Sequence, residues 1–124
     1  MKTFIITKGQ YDDYRIEFML DAPDDADFIG LLLQFFSTYD LLLPSEMYHK
    51  LSGVDARVKD HPHSDESSIV DFGKAVERWR EEGLVGEQWT GGAFASWQDA
   101  FQEWLIQYHG FKITNTQEIW LGAV

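Results

Sequence analysis

The sequence predicts an α+β fold: a small antiparallel sheet with helices packed on one face. β-forming runs stand at both ends of the chain, segments of helical spacing lie between them, and 44% of the 124 residues are hydrophobic. Aromatic residues make up 15%, with nine Phe, five Trp and five Tyr. That much apolar surface offsets the entropy of ordering the chain, so the sequence folds despite its charge. At this length roughly two thirds of the unfolded chain's surface is buried around one core. No internal repeat or linker interrupts the pattern, and residues 1–124 read as a single domain.

The N-terminal run Lys2 to Thr7 gathers Thr3, Phe4, Ile5 and Ile6, and Tyr14 to Leu20 gathers β-formers again after the polar turn GQYDD. Two such runs about a short turn predict a hairpin. Pro23, Asp24 and Asp25 then carry the signals of a helix start, and a helix is expected from about Asp25 to Tyr39. Its apolar residues Phe28, Ile29, Leu31, Leu32, Leu33, Phe35 and Phe36 cover most of the circumference, which calls for packing on more than one side.

Residues 40–68 are less regular, with Pro44, Gly53 and Pro62. SEMYHKL makes a short helix opened by Ser45, and 53–68 read as a loop. Ser67 or Ser68 caps the next helix, in which Ile69, Phe72, Val76 and Trp79 recur at helical spacing and Gly83 is the stop. GLVGEQWTGGAFA is a loop or irregular hairpin. Ser96 with Asp99 resembles a capping box, and Trp97, Ala100, Phe101, Trp104, Leu105 and Tyr108 share one helical face up to Gly110. Phe111 to Thr114 and Gln117 to Leu121 read as two short strands about Asn115 and Thr116. The expected sheet is thus the N-terminal hairpin plus two C-terminal strands, packed with about three main helices.

Charge narrows the function classes. Ten Lys and Arg stand against 21 Asp and Glu, a formal net charge of −11. Such a field repels nucleic acid and anionic membrane faces at long range and attracts basic protein surfaces. The most apolar run, FIGLLLQFF, is less than half of the roughly 20 residues a membrane-spanning helix needs. The opening MKTFIITKGQYDDY has no signal-peptide h-region and reads as a strand. Cysteine is absent, which removes disulfides and thiolate chemistry and fits a reducing compartment, so the expected location is the cytoplasm.

No motif fixes a reaction. Asp60, His61, His63 and Asp65 in KDHPHSDES form the one metal candidate, since an extended His-x-His places both rings on the same side. The same residues suit a solvated turn around Pro62. His49 and His109 are expected as ordinary polar residues near helix ends. The acid pairs Asp12 with Asp13, Asp24 with Asp25, and Glu81 with Glu82 lack the desolvated cleft that acid or base catalysis needs. There is no Gly-x-Ser-x-Gly elbow, and Gly91 and Gly92 lack the lysine of a phosphate loop. The chain is therefore read as a binding protein and not an enzyme, with no cofactor.

The distribution of charge carries more information. From Gly9 to Asp40 eight acids face Arg15 alone, and from Glu81 to Phe111 five acids have no Lys or Arg among them. A surface that serves solubility alone intersperses both signs. Tyr11, Asp12, Asp13, Tyr14, Glu17, Asp24, Asp25, Asp27 and Trp89 are the candidate partner-binding residues, aromatic anchors within a charged rim.

The opening MKTFIITKGQYDDYRI resembles the start of a group of small phage and bacterial proteins that begin with a strand, a Gly, and a Tyr-Ser-Asp-Tyr-like turn followed by Ile. Here the turn is Tyr11, Asp12, Asp13 and Tyr14, followed by Ile16, with Asp12 where Ser is commoner. The likeness covers the first third of the chain, through the helix start at Ala26 to Leu33. It implies a hairpin-plus-helix scaffold and a phage or mobile-element origin, and no activity. The expected function is an acidic inhibitor that occupies a basic nucleic-acid-handling protein by mimicking DNA charge, as anti-restriction and anti-CRISPR proteins do. A toxin-immunity protein, a metal-dependent enzyme built on the His61/His63 loop, and a subunit of a phage particle or replication complex are the alternatives.

Overall fold

The computed structural model describes residues 2–11, 14–65, 73–86 and 96–120, with the backbone alone in 2–11, 14–18, 96 and 114–120. The fold is α+β, and its contacts divide it into two compact units, residues 1–26 with 95–124, and residues 27–94.

In the first unit, β1 (Lys2–Tyr11) and β2 (Tyr14–Ala22) form the expected hairpin, with Tyr11 opposite Tyr14 across the turn. β5 (Lys112–Trp120) pairs antiparallel with β2 on its other side, giving the order β1-β2-β5. The two short C-terminal strands expected about Asn115 and Thr116 are therefore one strand. Asn115 pairs with Met19 and Thr116 with Phe18, and the register shifts between Met19 and Leu20. Pairing along β2 supplies the backbone partners that a turn would have supplied locally, and a bulge absorbs the one residue that does not fit.

α4 (Ser96–His109) packs along β1 and ends at Gly110, whose φ of 71° is the left-handed geometry that stops a helix. Trp97, Ala100, Phe101, Trp104 and Leu105 are buried as the spacing predicts, but Tyr108 is half exposed while Gln98 and Gln102 are buried. The periodicity located the apolar stripe; which flanks of it are also covered depends on packing, which the spacing does not encode.

The second unit is built on α1 (Phe28–Thr38), which begins later than its charge pattern predicts. Asp27, not Asp24 or Asp25, is the N-cap, and its carboxylate accepts from the Gly30 amide at 3.2 Å. Asp24 and Asp25 lie in a turn closed by the Ala26 amide on the Pro23 carbonyl at 3.0 Å. Leu32, Phe35 and Phe36 are the buried residues of α1, each worth roughly 1.5–3 kcal/mol of transfer free energy. Phe35 stacks on Trp79 of α3 (Gly73–Glu81), with centroids 5.8 Å apart and planes 13° from parallel. Tyr39 closes edge-on against both rings, at 5.1 Å from Phe35 and 5.8 Å from Trp79. The residues expected to cap and open α3 (Ser67, Ser68, Ile69, Phe72) lie outside the described residues. Its stop at Gly83 (φ 74°) is as predicted.

Between these helices, β3 (Leu43–Pro44) leads directly into α2 (Ser45–Ser52), the short helix expected there. The stretch predicted as a loop holds a 3₁₀ helix, Ala56–Asp60, and β4 (His63–Ser64), which pairs parallel with β3. Asp55 caps the 3₁₀ turn by accepting from the Arg57 amide at 2.9 Å, and Val58 is fully buried. One apolar anchor and one Asx cap order a segment whose Pro and Gly content resembles a loop. Among the described residues α1, α3 and α4 are thus the three main helices, and α2 is the short fourth.

The cap of α1 is sterically tight. A Cβ on Gly30 would lie 2.6 Å from Asp27 Oδ2 and 3.1 Å from Arg57 Nη1. Gly30→Ala therefore pushes the cap carboxylate off the helix end. Asp27→Ala is expected to lower stability by about 1 kcal/mol, whereas Asp27→Asn keeps the cap acceptor, loses only the exposed charge pairing with Arg57, and costs less. Chemical denaturation of the three variants checks this, and equal losses in Asp27→Ala and Asp27→Asn would show that the cap contributes little.

Candidate functional site

The candidate interface residues fall in several places. Tyr11 and Tyr14 end β1 and begin β2, Glu17 lies mid-strand opposite Thr7 and Gln117, and Asp24 and Asp25 are exposed in the turn that follows β2. Asp12, Asp13 and Trp89 lie outside the described residues. Asp27 belongs to the second unit and is engaged there.

Arg57 occupies the centre of that engagement. Its Nη1 lies 2.5 Å from Asp27 Oδ2 and its Nη2 3.2 Å from Asp27 Oδ1, while Nε binds both oxygens of Asp55 at 2.9 and 3.0 Å. Nη2 also donates to Asp55 Oδ2. One guanidinium thus satisfies two carboxylates, a fork geometry that arginine provides and lysine does not. Hydrogen bonds from Arg57 hold the Asp27 carboxyl below the usual range and draw Asp55 down to about 2. Asp27 serves as a helix cap and as a tether between α1 and the 3₁₀ turn. Asp55 was not singled out from sequence, although the Asp-x-Arg spacing is the local signal for its half of the fork.

The histidines have distinct surroundings. His63 stacks on Tyr48, with centroids 3.9 Å apart and planes 13° from parallel, and Tyr48 donates its hydroxyl to the Lys59 carbonyl at 3.0 Å. His49 lies edge-on to the same pair, 5.6 Å from Tyr48 and 6.2 Å from His63. Asp65 is almost fully exposed, 3.8 Å from His63 Nε2. His61 instead lines a cleft with Ser37, Asp40, Leu41, Leu42 and Pro62. The His-x-His pair therefore faces two different sets of neighbours, and Asp60 is exposed at the end of the 3₁₀ turn. Among the described residues no three His, Asp or Glu side chains are grouped to hold a metal ion.

The cleft has a volume of about 300 Å³. It forms where α1 ends in the hydrogen-bond pattern of a Schellman motif, with the Leu41 amide on the Phe36 carbonyl at 2.8 Å and the Asp40 amide on the Ser37 carbonyl at 3.3 Å. That motif needs a left-handed residue, and Asp40 takes the position with φ 55°. The adjacent Thr38 carbonyl accepts from Arg78 Nη1 at 2.6 Å, and the Arg78 guanidinium lies 4.6 Å over the Tyr39 ring. His61 Nε2 is sealed from solvent with no hydrogen-bond partner among the described residues, and burial pushes its pKa below the ordinary imidazole value. His109, packed 4.2 Å from Trp104, is shifted the same way for the same reason.

Comparison with known proteins finds no family model, no curated protein and no solved structure that matches the chain. Among the described residues no helix is long and apolar enough to cross a membrane.

These shifts set the response to acid. An imidazole whose folded pKa lies below the unfolded value of about 6.5 takes up its proton later in the native state, so the unfolded chain binds more protons and stability falls as pH drops below about 6.5. Asp27 and Asp55 act at lower pH. Their contribution is present above the unfolded carboxyl value of 3.8 and is lost as pH falls through the folded values, about 2 for Asp55. Stability is therefore expected to fall along two acid limbs in denaturation curves taken at stepped pH. His61→Gln shallows the first limb, leaving the share of His109, and Arg57→Met removes much of the second. A first limb of unchanged slope in His61→Gln would contradict a neutral, buried imidazole.

Proposed function

We propose that the chain is an acidic binding protein that occupies a basic, nucleic-acid-handling surface on another protein, an antidefence inhibitor of the kind that phages and mobile elements carry. Its net charge of −11 is the observation that carries this reading. In the second unit the Arg57 guanidinium is bound to Asp27 and Asp55, and that of Arg78 to a helix end and an aromatic ring. Among the described residues, exposed carboxylates at Asp24, Asp25, Asp27, Asp40, Glu46, Asp60, Asp65, Glu77 and Glu81 outnumber the exposed cations Lys50, Arg57, Lys59, Lys74 and Lys112. Glu77 and Glu81 stand four apart on α3, a like-charged spacing that costs the helix a little and that a cationic partner would relieve.

The carboxylates of the Tyr11 to Asp25 segment stand in for phosphates in this mechanism, with Tyr11, Tyr14 and Trp89 as desolvated anchors. Long-range attraction makes association fast and dependent on salt, and the partner is one that duplex DNA also binds. The separate surroundings of His61 and His63 favour this reading over a metal-dependent enzyme built on their loop.

Immobilised chain presented to host lysate, with mass spectrometry of what is retained, identifies the partner. Binding of that purified partner should weaken by at least about tenfold between roughly 50 and 500 mM salt and be displaced by duplex DNA. Asp24→Lys with Asp25→Lys should weaken it by about tenfold, mainly through the association rate. A partner of neutral charge, or affinity indifferent to salt and to the double reversal, would overturn the proposal.

A further inference from the structure

We infer that the cleft at the C-terminal end of α1, walled by Ser37, Asp40, Leu41, Leu42, His61 and Pro62, receives the side chain of an arginine or lysine of the basic partner. The inference rests on the functional reading above and names the contact through which part of that recognition runs.

The starting observation is a comparison within the chain. α1 and α3 both close in the same motif, the Leu41 amide on Phe36 matching the Leu84 amide on Trp79 at 2.8 Å, and the Asp40 amide on Ser37 matching the Gly83 amide on Arg80 at 3.2 Å. α3 puts a glycine at the left-handed position, with φ 74°, and α1 puts Asp40 there, with φ 55°. Glycine is the residue this geometry favours. An aspartate adds a second cost, because the end of a helix carries partial negative charge from its unpaired carbonyls and favours cations. α1 has no basic residue of its own in its last turn, and Arg78 of α3 answers the Thr38 carbonyl but not Asp40. Asp40 is tolerated at this position but carries a cost there, which a bound cation would offset.

The surroundings fit that ligand. Among the described residues the Asp40 carboxylate has no hydrogen-bond or ion-pair partner, and it is exposed beside the cleft. Leu41, Leu42 and Pro62 offer apolar wall for the methylene stem of a long cationic side chain, and Ser37 adds a hydroxyl acceptor. The volume of about 300 Å³ is at the lower end for ligand sites, room for one such side chain with some water. His61 lies in the wall with its ring held neutral by burial, so at neutral pH it opposes no incoming positive charge. The same helix end already binds one guanidinium, that of Arg78 on the Thr38 carbonyl, which shows that the local field accepts this group.

The test uses the full chain and two small probes, Nα-acetyl-arginine methyl amide and its uncharged citrulline counterpart, followed by amide NMR shifts. The arginine probe should give saturable shifts confined to residues 37–42 and 61–62, and the citrulline probe should be at least about tenfold weaker. Asp40→Asn keeps a residue tolerant of left-handed backbone and removes the charge. It should melt at or above the temperature of the parent chain and bind the arginine probe about tenfold more weakly. Asp40→Gly should also melt higher and likewise lose the probe. Absent shifts, equal binding of the two probes, or unchanged binding by Asp40→Asn would each overturn the inference. Loss of the cleft result with salt-dependent partner binding intact would remove this contact and leave the acidic-surface reading standing. Salt-independent partner binding with a working arginine titration would instead remove the acidic-surface reading, and with it the assignment of the cleft to a basic partner.

Discussion

Cations are scarce in this chain, and where the fold places them governs much of what the molecule can do. Ten Lys and Arg serve 21 carboxylates. Arg57 answers two of those acids at once, tying the start of α1 to the 3₁₀ turn, and Arg78 closes the end of α1 through the Thr38 carbonyl and the Tyr39 ring. Both ends of α1 are thus held by guanidinium groups, while its middle is held by the stack of Phe35 on Trp79. A lysine at position 57 would satisfy one carboxylate as a point charge and leave the other to solvent. That fork lies at the surface, with Arg57 and Asp27 each about half exposed, so its effect is to decide which acids are paired and which are not.

The sequence made part of this legible. Hairpin, short helix at Ser45, helix stops at Gly83 and Gly110, and the aromatic stripe of α4 are local signals, set by spacing and by residues with restricted backbone preferences, and the structure carries them where they were expected. The failures share a cause. β5 runs through Asn115 and Thr116 because β2 lies beside them, and the 3₁₀ turn and β4 stand in a supposed loop because Val58 is buried and β3 lies alongside. Those neighbours are distant in sequence, so no window of local pattern contains them. The start of α1 was misplaced for a related reason: three aspartates offer themselves as caps within four residues, and Arg57, thirty residues away, favours the last of them.

The candidate site divides along the same line. That the surface is acidic is a property of composition, and the sequence displays it. Which acids are available to a partner is a property of pairing. Asp27 reads like Asp24 and Asp25 in sequence, yet it is both a helix cap and half of an ion-pair fork, whereas Asp40, one acid among many in the chain, stands beside a cleft with its carboxylate unpaired among the described residues. Nothing in the neighbouring residues distinguishes Asp40 except its place one residue beyond Tyr39, where a helix of this length must turn out of its axis.

Position separates the two physical roles that negative charge can play here. Solubility depends on net charge and is indifferent to where each carboxylate sits, so residues kept for solubility settle where they cost least, at helix N-termini and open turns. Asp24 and Asp25, in a turn, satisfy that rule and are consistent with either role. Asp40 does not: it takes a backbone geometry that glycine holds more easily, at the end of a helix where negative charge is least welcome, in a chain that already carries twenty other acids. A carboxylate placed against both of those costs is one that an incoming positive charge would stabilise.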